Sequence, residues 1–249
     1  MQFNPKITII TVVYNGQTLI ERTIKSVLSQ DYTNVEYIII DGASSDSTLS
    51  IIEKHKSKIA EIVSEKDNGI YDAMNKGLKL ATGDYVLFIN AGDEFYANQT
   101  LTSVFNLGEA DVYYGNTAVV DGKGVALGDR RLTPPEQLNW KSLKFGMCVS
   151  HQSFIAKRVL CDAYDLNYAV SSDIDWVINV LKKASKITNT KNYIAKFLAG
   201  GTSYTRMKLA LKERFAIMSK HYGFVSTLFN HAYIFLRYPF HKFSKKSMT

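Results

Sequence analysis

Only two cysteines, Cys148 and Cys161, occur in the 249-residue chain, and no second pair gives them metal-ligand spacing. That scarcity argues against a disulfide-stapled scaffold and a structural zinc site; two reduced thiols in an intracellular compartment are expected. No apolar stretch approaches the roughly 20 residues needed to cross a bilayer. The N-terminus has no signal-peptide pattern, since Pro5-Lys6 leads straight into a strand-like run. Low-complexity tracts and internal repeats are missing. The two commonest phosphate loops are missing too. Tyr14-Asn15-Gly16-Gln17-Thr18, after the first strand, has one glycine instead of G-x-G-x-x-G, and G-x-x-x-x-G-K-S/T occurs nowhere. From Arg237 onward the chain has no acid, while it carries Arg237, Lys242, Lys245 and Lys246.

What is present is a globular composition, 46% hydrophobic and 21% charged, long enough for one large α/β domain or a domain with an appendage. A net charge of +7 suits an anionic partner, and charge alone admits nucleic acid, anionic lipid or a phosphorylated ligand. Strand-like and helix-like patterns then alternate. Residues 6–13 and 35–40 read as strands, 59–63 as a short third strand and 85–89 as a fourth; 18–30, 47–56 and 68–80 read as helices. This predicts a mainly parallel, Rossmann-like α/β sheet with helices on both faces, and polar loops at 14–16, 41–46, 64–69 and 90–94 along one edge. Beyond them, 111–120 reads as a strand and Asp121-Gly122-Lys123-Gly124 as a hairpin turn into 125–127. Pro134-Pro135 opens a helix or lid-like segment toward Phe145. Residues 173–183 read as a helix, and a long amphipathic helix runs from about 205 to 222.

Phe88-Ile89-Asn90-Ala91-Gly92-Asp93-Glu94 places an acidic pair where the fourth strand ends. Ligands of open parallel sheets bind outside the carboxyl ends of the strands, so Asp93 is placed to hold a divalent cation against a diphosphate. Taken alone, the same residues read as a polar β-turn.

Several separate motifs occur in order over about residues 6–205: Ile9-Ile10-Thr11-Val12-Val13-Tyr14-Asn15, Ile40-Asp41-Gly42-Ala43-Ser44-Ser45-Asp46-Ser47-Thr48, Ser64-Glu65-Lys66-Asp67-Asn68-Gly69-Ile70-Tyr71-Asp72-Ala73-Met74-Asn75-Lys76-Gly77 and Ala81-Thr82-Gly83-Asp84-Tyr85. Together they resemble the inverting glycosyltransferase family 2 with the GT-A fold, most of all small bacterial members that build capsule, exopolysaccharide and O-antigen repeats. The resemblance implies a GT-A domain over 1–204, with a nucleotide-sugar half (about 1–97) and an acceptor half (about 98–204). A basic, amphipathic helical extension, 205–249, follows.

It also implies roles. Asp41 would accept a hydrogen bond from the base, with Thr11, Tyr14 and Asn15 beside it; a carboxylate acceptor selects a base bearing an N–H, as uracil does, and hence a UDP-linked donor. Asp41 reads otherwise as a turn or capping carboxylate. Asp67 and Asn68 would approach the nucleotide-sugar at a helix N-terminus, where Asp67 also suits an N-cap, and Asn75 would face ligand or solvent. At the family's metal motif Asn90 and Gly92 stand where acids are usual, as in other small members. Asp93 then remains as the carboxylate for Mn²⁺ or Mg²⁺, with diphosphate and water completing the shell. Asp173, in Ser171-Ser172-Asp173-Ile174-Asp175-Trp176, matches the catalytic base, with Asp175 in reserve; alternatively Ser172 or Asp173 caps the helix. His151 and Gln152 would touch acceptor or phosphate, or His151 is structural. Gly200-Gly201-Thr202-Ser203 would form a lid, and Arg206 a phosphate contact.

The reaction implied is transfer from a nucleotide-sugar to a glycan or polyprenyl-linked acceptor, without nucleic acid, in the cytoplasm. The C-terminal aromatic and basic residues suit an anionic membrane surface on the inner face, or else packing on the catalytic domain or on a second copy in a homodimer. The competing readings are a nucleotidyltransferase that makes the nucleotide-sugar and a non-catalytic nucleotide-sugar-binding subunit of a membrane assembly.

Overall fold

The computed structural model describes residues 3–200 and 206–244. Its first half alternates β1 (Ile7–Val13), α1 (Ile20–Leu28), β2 (Val35–Asp41), α2 (Thr48–Glu53), β3 (Glu61–Ser64), α3 (Ile70–Leu80) and β4 (Tyr85–Phe88). The second half contains β5 (Glu94–Phe95), α4 (Thr100–Phe105), β6 (Val112–Val120), β7 (Ala126–Asp129), β8 (Phe154–Lys157), α5 (Ser172–Lys183) and β9 (Ile187–Leu198), then α6 (Met207–Tyr222) and α7 (Phe224–Ser244). The strands form one sheet in the order β3-β2-β1-β4-β8-β6-β9-β5, with β7 added beside β6. β1 to β4 are mutually parallel where they pair, whereas β8 joins both β4 and β6 antiparallel.

The apolar runs of β1, β2 and β4 are unbroken because both faces of the sheet are covered. Alternate residues divide between two cores. Ile10, Val12, Ile38, Ile40, Val86 and Phe88 meet α3, α5 and α6 through Met74, Trp176, Ile178 and Ile217. Ile7, Ile9, Ile39, Leu87 and Ile89 meet α1, α2 and α4 through Ile24, Val27, Ile52 and Leu101. The last helix-forming segment expected from periodicity is therefore part of the main core.

The early elements fall where the sequence places them, trimmed at their ends. Leu19 and Ile20 both donate their N–H groups to Gly16 O, so α1 starts at Ile20. Three elements differ. Between Pro134 and Phe145 only a short 3-10 turn forms, Trp140–Phe145, capped by Asn139; the backbone before it is paired elsewhere, since Tyr114 Oη donates to the Pro135 and Glu136 carbonyls and accepts from Leu138 N. β5 is two residues long, and β9 spans 12 residues although its first half, Ile-Thr-Asn-Thr-Lys-Asn, is polar. Lys191 at φ 58° breaks the alternation in β9, and pairing with β6 supplies the order that local pattern does not. Residues 201–203 of the expected lid, the helix start at 205, and Lys245 and Lys246 lie outside the described residues.

Candidate active site

Strand register brings the polar loops of the first half together. Val13 lies opposite Asp41, and Asp41 opposite Ser64, so three loops leave the sheet side by side. Asn15 N donates to Ser44 Oγ (2.8 Å), Gln17 N to Asp46 Oδ2 (3.1 Å), and Ser45 N to Asn15 Oδ1 (2.9 Å). Asn15 takes a left-handed backbone, φ 49°, which asparagine tolerates better than most residues. Asp41 is fully buried, and its Oδ2 accepts from Ser44 N (3.1 Å) and Ser64 Oγ (2.6 Å). Thr11 is equally buried and donates to Ile89 O at 2.7 Å. Tyr14 and Asp67 flank Gly42: a Cβ there would stand 3.4 Å from Tyr14 Cδ2 and 2.4 Å from Asp67 Oδ2. Tyr14 is exposed, as is Asn68, whose N–H donates to Asp72 Oδ2 at 2.9 Å. The Asn75 amide donates to Tyr164 O (3.0 Å) and accepts from Tyr164 N (2.7 Å), which ties α3 to the chain before α5.

The turn after β4 meets the opposite wall. Asp93 is 4% exposed and accepts from Gln152 Nε2 (2.8 Å) and Leu198 N (2.9 Å). Burial pushes its pKa up to about 6, against the hydrogen bonds and the positive field of His151 and Arg22. Gly92, at φ 99°, leaves room that a Cβ would lose, since it would come 2.7 Å from Leu198 Cδ2. Asn90 Nδ2 lies 3.2 Å from His151 Nε2, and His151 Nδ1 lies 3.3 Å from Asp173 Oδ2. Tyr71 Oη completes the line at Asp173 Oδ1 (3.1 Å) and also donates to Val170 O (2.9 Å). A carboxylate beside Nδ1 favours the proton there, leaving Nε2 to accept from the Asn90 amide. Burial works to raise the Asp173 pKa, but His151, Tyr71 and the field of Arg214 outweigh it and hold it below the usual carboxylate range. An ionised carboxylate at this position can accept a proton.

α5 has no side-chain cap at Ser171. The chain entering it is held by Glu213 of α6, 7% exposed, whose carboxylate accepts from the N–H groups of Ala169 (2.8 Å), Val170 (2.9 Å) and Ser171 (2.9 Å). Asp175 faces α6 as well, at 2.7 Å from His221 Nε2 and 3.1 Å from Lys220 Nζ. Asn90, Asp93, His151, Gln152 and Asp173 thus come together, while Asp175 is engaged elsewhere. Arg206, exposed, precedes α6. Sequence reasoning assigned no role to Tyr71 or Glu213. Tyr71 lies in a quoted motif, but a glutamate within a helix that is otherwise ordinary offers no local signal.

For a divalent cation the donor set fits. Asp93 is a buried carboxylate without an ion-pair partner within 4.0 Å among the described residues. In the same turn Asn90 Oδ1 is buried without a hydrogen-bond partner. Carboxylate and amide oxygens suit Mg²⁺ or Mn²⁺ when a diphosphate supplies further oxygens. No group of three or more His, Cys, Asp or Glu side chains forms a metal cluster by itself among the described residues.

A parallel-strand edge of interlocked polar loops, facing an ionised carboxylate across an oxygen-rich turn, defines an α/β group-transfer enzyme. The family model for glycosyl transferase family 2 matches residues 8–163, and the chain belongs to that family: it is a glycosyltransferase with the GT-A fold. Among curated relatives it is 27% identical over 240 residues to an uncharacterized glycosyltransferase of Mycobacterium tuberculosis, covering 92% of this chain and 90% of that one. It is also 27% identical over 211 residues, 83% of each chain, to the Escherichia coli UDP-Glc:alpha-D-GlcNAc-diphosphoundecaprenol beta-1,3-glucosyltransferase WfaP. Among solved structures, Staphylococcus aureus TarS 1-349 in complex with UDP-GlcNAc superimposes with TM-score 0.65 at 18% identity, over 90% of this chain and 72% of that one. The mannosyltransferase PcManGT of Pyrobaculum calidifontis, in complex with GDP-Man and Mn²⁺, does so with TM-score 0.60 at 20% identity, over 92% and 70%.

Proposed function

We propose that this glycosyltransferase moves a sugar, with inversion, from a UDP-linked donor to a hydroxyl of a lipid-linked saccharide in bacterial surface-polysaccharide synthesis. The observation that carries the reading is the Asn90–His151–Asp173–Tyr71 line, which couples the turn after β4 to an ionised base. The uridine would lie across the loops framed by Thr11, Tyr14, Asn15 and Asp41. The diphosphate would lie toward Asn90, Gly92 and Asp93, with Asp67 and Asn68 alongside the sugar. Asp93 and Asn90 Oδ1 would hold Mn²⁺ or Mg²⁺, which when bound neutralises charge on the leaving diphosphate.

In the transfer the acceptor oxygen forms a bond to the anomeric carbon while the bond from that carbon to the diphosphate oxygen breaks. Asp173 takes the acceptor's hydroxyl proton as a general base. His151 and Tyr71 keep the carboxylate ionised and aimed, and proximity supplies much of the remaining acceleration. The nucleotide-bound state of TarS and the named substrates of WfaP support UDP and a lipid-linked acceptor. No helix among the described residues is long and apolar enough to cross a membrane. Phe224, Val225, Leu228 and Phe229 of α7 are exposed, which supports peripheral attachment to the inner membrane face. The test is Asp173→Asn in a transfer assay with UDP-sugars and Mn²⁺: kcat falls about 10²- to 10⁴-fold, while UDP still stabilises the protein. Full activity in that variant removes Asp173 as the base.

A further inference from the structure

A cavity of about 400 Å³ lies between the β6–β7 hairpin, the 145–147 segment and helices α6 and α7. Leu132, Phe145, Leu211 and Met218 give it apolar walls, and Arg130 and Arg214 enter it from opposite elements. Neither guanidinium forms an ion pair among the described residues. Arg130 donates to Met147 O at 3.3 Å, and Arg214 Nε is buried with no hydrogen-bond partner. Burial and the neighbouring Arg214 together push the Arg130 pKa down, against the opposing field of Asp173. The one carboxylate lining the cavity, Asp129, accepts from Tyr193 Oη at 2.6 Å.

Two half-buried cations without carboxylate partners, one with its Nε buried, are costly unless an anion completes them, and arginine's planar fork matches phosphate oxygens. The 145–147 segment that lines the cavity leads to His151, whose Nδ1 lies 3.3 Å from Asp173 Oδ2, and the fields of both arginines reach that carboxylate, so the cavity is on the side of the fold where an acceptor hydroxyl has to lie. An anion with a hydrocarbon chain matches the whole lining, whereas free phosphate leaves the apolar walls unused and a neutral glycan leaves the arginines unpaired.

We infer that this cavity is the acceptor subsite, in which Arg130 and Arg214 hold the phosphate or diphosphate that links an acceptor sugar to its lipid, with the first part of the lipid lying along Leu211, Met218 and Phe145. This assignment rests on the acceptor being lipid-linked, as proposed above. It makes the phosphate a ruler: binding at the arginines sets which hydroxyl of the first sugar reaches Asp173.

The probes are decyl diphosphate, inorganic pyrophosphate and decyl maltoside, each titrated calorimetrically into the full-length protein with saturating UDP and Mn²⁺. UDP keeps the donor diphosphate position occupied. Decyl diphosphate should bind at least tenfold more tightly than either of the others. Arg130→Gln and Arg214→Gln should each weaken it tenfold or more, with the thermal shift caused by UDP unchanged. Leu211 is 53% exposed, so Leu211→Ser tests the wall without endangering the fold; it should weaken decyl diphosphate several-fold and leave pyrophosphate unaffected. Equal affinity for decyl diphosphate and pyrophosphate, or undiminished binding in both arginine variants, overturns the assignment. If UDP itself gives no thermal shift, the donor reading fails separately, and the same titrations without UDP still decide whether the cavity takes the lipid phosphate.

Discussion

Glu213 ties α6 to the chain that leads into α5, and removing its carboxylate measures how tightly. Three backbone N–H groups converge on it at 2.8, 2.9 and 2.9 Å. Val170 and Ser171 are almost fully buried, so water cannot readily replace the acceptor. A hydrogen bond to a charged group is worth about 1.5–3 kcal/mol net. Three that share one carboxylate, with Ala169 exposed, do not add fully, so Glu213→Ala should destabilise by about 4 kcal/mol. For a chain of this size each kcal/mol moves Tm by about 2–4 °C, which gives a fall of about 8–16 °C by calorimetry. The 169–171 segment leads directly into Asp173, and Tyr71 anchors on Val170 O. Well below Tm, kcat should therefore fall about ten- to a hundredfold through lost alignment, with KM for the donor nearly unchanged. A Tm loss below about 3 °C, or a KM effect larger than the kcat effect, would refute this account of α6.

Tyr71→Phe removes a hydrogen bond that helps keep the Asp173 pKa low; the acid limb of the kcat/KM profile should move to higher pH, and an unmoved limb would mean that another group sets it. Glu36 is drawn down to about 2 because hydrogen bonds from Lys6, Thr8 and Thr82 outweigh its burial. Its ionised form therefore stabilises the fold above pH 4.5, and this contribution is lost as pH falls toward 2. Partial screening at the half-exposed Lys6 reduces it to about 2 kcal/mol, and urea titrations of Glu36→Gln should lack that acid-dependent loss. Gly92→Ala forces a Cβ to 2.7 Å from Leu198 Cδ2 at φ 99°; a destabilisation of about 1–3 kcal/mol is expected, and a neutral Tm would show that the turn can shift.

The first half of the fold was legible because its signals are local. β-branched runs end in Asn, Asp, Gly and Ser loops, and parallel pairing brings such loops to one edge whatever their sequence separation. The same locality explains the failures. β9 begins with polar residues and owes its strand to β6, and the 134–145 segment reads as a helix or lid-like segment from its opening prolines alone. Of the candidate residues, Asp93, His151, Gln152 and Asp173 converge. Asn75 and Asp175 carry equally suggestive chemistry, but their side chains are engaged with Tyr164 and α6 respectively.

By itself, then, the sequence determined the family, the alternation of strands and helices in the first half and the residue types at the strand ends, because alternation of apolar residues and turn chemistry act over a few positions. Only the tertiary structure decided that Asn90, His151 and Asp173 form one line, that Glu213 holds the entry to α5, and that Arg130 and Arg214 share a cavity. Those contacts join segments tens of residues apart in the chain. Packing of α5 and α6 on the sheet brings them together, and no local pattern encodes that packing.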